Sequence, residues 1–95
     1  MIQKIKIELR ETQRQLESLQ SEIQYQHQID EYIIERFHGL LDRLCVISDR
    51  FASFRIPPED LRPIRWITYC EANLFKEKLN GTLALIRTLL KAPRG

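Results

Sequence analysis

Ninety-five residues with 15 Lys and Arg against 13 Asp and Glu give a formal charge of only +2, in a chain that is 43% hydrophobic and holds 3 Gly and 4 Pro. This is the composition of a folded domain near the small end of what buries a core unaided, and it excludes a disordered chain. The weak charge argues against a general electrostatic grip on nucleic acid, and the absence of any run of about 18 apolar residues argues against a membrane span.

Residues 35–55 write one seven-residue unit three times: Glu35, Arg36 and Phe37 with Leu40; Asp42, Arg43 and Leu44 with Ile47; Asp49, Arg50 and Phe51 with Phe54. Extended backwards, the frame has Ile2, Leu9, Leu16, Ile23, Asp30, Phe37, Leu44 and Phe51 at its first position. Ile5, Thr12, Leu19, Gln26, Ile33, Leu40, Ile47 and Phe54 stand at its fourth, so that thirteen of sixteen are apolar. Apolar spacing of three and four puts these residues on one helical stripe, and a sustained period of seven marks helices packed side by side. No proline interrupts the frame, which predicts one long helix over residues 2–54.

Two of the polar exceptions, Gln26 and Asp30, are neighbours in the seam, and the flanks change there. Before Gln26 they are polar, as at Lys6, Glu8, Gln13 and Gln20; after it they include Ile29, Ile34 and Leu41. A narrow stripe suits a two-stranded coil and a wide one suits a bundle. Residues 1–28 therefore read as a coiled-coil oligomerisation segment, and residues 29–95 as a helical hairpin or bundle within one domain.

Ile56, Pro57 and Pro58 end the first helix, because a residue before proline is pushed out of the helical region. Asp60 is placed to cap a second helix, with Pro63 in its first turn. Its stripe runs Leu61, Ile64, Thr68, Ala72, Phe75, Leu79, with Ile67 and Leu74 alongside. Asn80-Gly81 marks a kink or a break before the apolar phase resumes at Leu83, Ile86 and Leu90, giving one kinked or two C-terminal helices. The end of the chain, from Ala92 to Gly95, is expected to fray.

Lengths carry the assembly argument. At about 1.5 Å per residue the first helix spans roughly 80 Å and the second roughly 45 Å, so the second covers only half of the first. The ridge of Ile2, Ile5, Leu9, Leu16, Leu19 and Ile23 is left without an internal partner, which predicts a homodimer joined through residues 1–28.

No chemistry-bearing constellation stands out. His38, Asp42 and Cys45 share a helix face that Cys70 could approach, but tetrahedral metal binding needs three or four converging ligands, and an exposed His–Asp pair beside a half-buried thiol is the simpler reading. No nucleophile has a base in helical register and no phosphate loop is present, so no catalytic residue, metal or cofactor is expected. Arg36, Arg43 and Arg50 each follow an acid, which suits interhelical ion pairs better than a phosphate stripe.

The most partner-like surface is Arg62, Arg65, Trp66, Tyr69, Asn73 and Lys76, predicted to form a face of the second helix. Trp, Tyr and Arg concentrate binding energy at interfaces. The expectation is an all-α, non-enzymatic and cytoplasmic interaction protein of the adaptor, assembly-factor or regulatory-subunit kind, binding a protein partner and no membrane. The alternative is a small dimeric DNA- or RNA-binding regulator that uses the same basic and aromatic face.

Overall fold

A computed structural model describes residues 3–91, with Ile64 described by its backbone alone. Ile2 of the expected ridge and the expected fraying of residues 92–95 lie outside the described residues. The chain is mostly helical, with a small sheet at one end: α1 (Gln3–Glu22), β1 (Gln28–Asp30), α2 (Glu31–Ile47), β2 (Arg62–Ile64), β3 (Ile67–Glu71) and α3 (Ala72–Lys91).

The long helix expected over residues 2–54 is two antiparallel helices. The chain reverses over residues 23–27, where the Gln26 N–H donates to Ile23 O at 3.0 Å. Asp30 then stops any continuation, because its carboxylate accepts the Ile33 N–H at 3.1 Å and so caps α2. The polar seam residues Gln26 and Asp30 thus mark a turn and a cap. Leu9, Leu16, Leu19 and Ile23 are completely buried against the rest of the same chain, and Ile5 is half-buried against the core. The uncovered ridge, which was the reason to expect a coiled-coil homodimer, is therefore not present, and the molecule's longest dimension is 48 Å.

Charged side chains bind the flanks of the helical pair. Both Arg36 guanidinium nitrogens donate to the Glu22 carboxylate, at 3.0 and 3.1 Å, and Arg43 donates to Glu8 at 3.1 Å. The Arg36 guanidinium holds the Glu22 carboxyl below its ordinary range. On the other flank α1 runs antiparallel to α3, with Gln20 donating to Asn80 at 2.6 Å and Arg87 standing 3.7 Å from Glu17.

α2 ends at Ile47, because the Ser48 hydroxyl accepts the Arg50 N–H at 3.3 Å and starts a 3₁₀ segment, Asp49–Phe54. The third copy of the repeated unit is therefore not α-helical, although Phe51 is completely buried. Ile56 follows and is buried, and a short 3₁₀ turn, Pro58–Asp60, leads into the sheet.

Residues 62–71, expected to lie on a helix, form a β-hairpin instead. Pro63 has no N–H for a helical bond, and Ile67, Thr68 and Tyr69 are residue types that favour strands. Arg65 takes a φ of 56°, the left-handed conformation that a two-residue turn between twisted strands requires. The strand order is β1-β3-β2, all antiparallel, with Ile29 opposite Cys70 and Arg62 opposite Tyr69. Ile29 and Cys70 face the core, and Pro63 sits at the centre of the edge strand β2.

α3 runs as one helix through Asn80-Gly81, so of the two arrangements expected there the break into two helices is not present. A Cβ at Gly81 would lie 2.5 Å from the Phe54 ring, so glycine here allows the 3₁₀ segment to lie close against the helix. The start of α3 is tied to the reversal by the Ala72 N–H, which donates to His27 O at 3.1 Å. One hydrophobic cluster draws on all three helices, β1, β3 and the 3₁₀ segment, with Phe37 and Phe75 meeting edge to face at 5.0 Å.

Candidate functional site

The six residues expected on one helix face divide between two places. Arg62 lies in β2 and is exposed. Arg65 and Trp66 form the hairpin turn, and Tyr69 lies half-buried in β3 between Asp30 and Arg62. Asn73 and Lys76 lie on α3 and line a polar cleft of about 500 Å³ with Gln24, Tyr25, His27 and Glu71. Lys76 Nζ donates to Gln24 O at 3.1 Å, so that ammonium is engaged in holding the reversal.

The hairpin turn is the most exposed apolar point among the described residues. Trp66 is 90% exposed and Ile67, its chain neighbour, is 55% exposed. The two-residue turn thus holds the Trp66 ring out in water at the tip of the hairpin. Ile67 was read as a core flank, because its spacing fits a helical stripe as well as a strand. The strand's alternation instead sends Cys70 inward and Ile67 outward.

Electrostatics at the hairpin are mixed. Residues 57–71 carry Arg62 and Arg65 against Glu59, Asp60 and Glu71. Burial pushes the Cys70 thiol up to about 11, with the nearby carboxylates of Asp60 and Glu71 adding to the effect. A thiol so protonated is a poor nucleophile and a poor metal ligand. A helix would have set Arg62 one turn from the Trp66 ring, close enough for a cation–π contact, and the hairpin removes that spacing. Arg36 instead lies over the Tyr32 ring, 5.7 Å from its centroid.

His38, Asp42 and Cys45 do share a face of α2, but each has a separate role. His38 Nε2 accepts the Ile56 N–H at 3.1 Å, and Asp42 accepts from Arg55 at 2.6 Å. Cys45 is half-buried and Cys70 is buried in β3, both as free thiols. Among the described residues no group of three His, Cys, Asp or Glu side chains is placed to hold a metal ion.

A second cleft, of about 410 Å³, opens between the start of α1 and the end of α2 and is lined by Lys4, Ile5, Glu8, Arg43, Val46 and Ile47. Of the described ridge residues assigned to self-association, Ile5 alone lines this cleft. No helix among the described residues is long and apolar enough to cross a membrane. No family model matches the chain, and no curated protein or solved structure matches it either.

Proposed function

We propose that the chain is a non-enzymatic interaction module that engages a protein partner through the β2–β3 hairpin, with Trp66 and Ile67 as apolar anchors and Arg62 and Arg65 beside them. The observation that carries this reading is the 90% exposure of Trp66 on a turn whose strands are held in a three-stranded sheet. A large, rigid aromatic ring presented on a fixed scaffold loses little entropy on binding, and Trp and Arg dominate binding energy at interfaces.

A protein partner is favoured over nucleic acid because the formal charge of the chain is only +2, and phosphate affinity rests on net positive charge. The role would be that of an adaptor, assembly factor or regulatory subunit in the cytoplasm, with the hairpin tip as the contact, where Trp66 and Ile67 are exposed side by side. Self-association through this hairpin, with a second copy as the partner, belongs to the same class of contact.

The test is quantitative capture of partners by the tagged chain from its native cells, compared with Trp66→Ala and Ile67→Ser variants. Both positions are exposed, so folding and melting temperature stay unchanged. Capture is expected to fall by at least about tenfold, the usual cost of truncating an anchor residue. Undiminished capture by both variants would remove the hairpin from the binding surface.

A further inference from the structure

We propose that His38 is an acid-sensitive latch: its neutral ring pins the linker between α2 and the hairpin to the helix, and protonation of the ring releases that linker. The latch stands on its own geometry. It does not rest on the hairpin reading above.

The bond that defines the latch runs from the Ile56 N–H to His38 Nε2, at 3.1 Å. An imidazole nitrogen that accepts a hydrogen bond carries no proton, so the ring is neutral, with its proton on Nδ1. Ile56 is buried, Pro57 and Pro58 after it have no N–H, and the Arg55 N–H before it is bonded to Ala52 O, so no adjacent amide replaces the bond. A second tether lies beside the first, where Arg55 donates to Asp42 Oδ1 at 2.6 Å. Asp42 stands one helical turn beyond His38 on α2, and the two tethers come from consecutive linker residues.

Protonation acts on both tethers. It turns Nε2 into a donor facing another donor, which strands the buried Ile56 N–H. It also places a positive ring beside Asp42, where it competes with Arg55 for the carboxylate. The charged groups bearing on the ring are Arg55 from the linker, which opposes protonation, and Asp42 from α2, which favours it. The Phe37 ring, 6.0 Å away between centroids, is apolar. Burial of the ring is the largest influence and holds its pKa below the ordinary 6.5, with Arg55 acting in the same direction. The linker is thus closed at neutral pH and opens when acid protonates the ring, below 6.5.

Hydrogen exchange and nitrogen shifts, followed by NMR between about pH 8 and about pH 5, where carboxylates stay ionised, test this in the full chain. At the upper end His38 Nε2 should show the shift of an unprotonated acceptor. As His38 titrates, below 6.5, the Ile56 amide should lose about tenfold in protection, the worth of one hydrogen bond, while the Ser48 amide bonded to Leu44 keeps its own. In His38→Gln the side-chain carbonyl accepts the same bond at every pH, so protection of Ile56 should stay flat. An Ile56 amide indifferent to the His38 titration in the native chain would overturn the latch whatever the variant does, as would a variant that follows the native profile. Partner capture by Trp66→Ala is a separate readout, so loss of the hairpin reading leaves this result standing.

Discussion

Gly39 and Gly81 both sit inside helices, yet they do opposite things. A Cβ at Gly39 meets nothing within 4 Å, whereas one at Gly81 runs into the Phe54 ring. Gly39→Ala should therefore stabilise the protein by about 0.5–1 kcal/mol, the helix propensity gained without a steric cost. Gly81→Ala gains the same propensity but must displace Phe54 from its place against the core, and overpacking costs about 1–3 kcal/mol, so it should melt lower than the native chain. Thermal denaturation of the two variants decides the matter, and a stabilised Gly81→Ala would mean that the ring is free to move. Asn80-Gly81 is a turn signature in sequence, and nothing local distinguishes a glycine that ends a helix from one that clears room for an aromatic ring brought from residue 54.

The elements divide by how much of their structure is decided locally. α1 and α2 were legible because their seams repeat over many turns, and the change of flank at Gln26 and Asp30 located the join between them. That the join reverses the chain is set by residues 23–27 and by the pairing of β1 with β3, and the Asp30 carboxylate, accepting the Ile33 N–H, then starts α2. Asp30→Ala should cost about 1 kcal/mol, as lost caps do, and should be partly rescued by Asn or Ser at the same position; chemical denaturation measures both. If Asp30→Ala has the stability of the native chain, the cap is not what sets the start of α2. The hairpin was misread because strands of three and five residues are too short for their period to assert itself, and the four-three-four-three spacing from Arg62 to Lys76 fits a helix by coincidence. Pro63 and the β-favouring run after Trp66 were the available signals, outweighed by an apolar stripe that α3 continues.

At the scale of the molecule, the seven-residue frame correctly identified core residues, since Leu9, Leu16, Ile23, Phe37, Leu44 and Phe51 are all completely buried. It could not identify what covers them. A heptad seam satisfies itself equally well against another chain or against its own second half, and the choice is made by a five-residue reversal. Since α1 supplies part of a single core, deletion of residues 3–22 should abolish cooperative unfolding, as judged by circular dichroism on heating. A sharp transition retained by the remaining residues would instead mark them as an independent domain. His38 adds a pH dependence to the stability of the whole: because its pKa is lowered on folding, its contribution is complete above 6.5 and declines as pH falls from there toward the folded value.

The edge strand β2 deserves its short length. It has three residues, and the central one is a proline with no N–H to offer. Open sheet borders invite other molecules to add strands and grow into fibrils, and this border gives them almost nothing to build on. A tryptophan can therefore be held out in water next to it without this border recruiting further copies of the chain into aggregates.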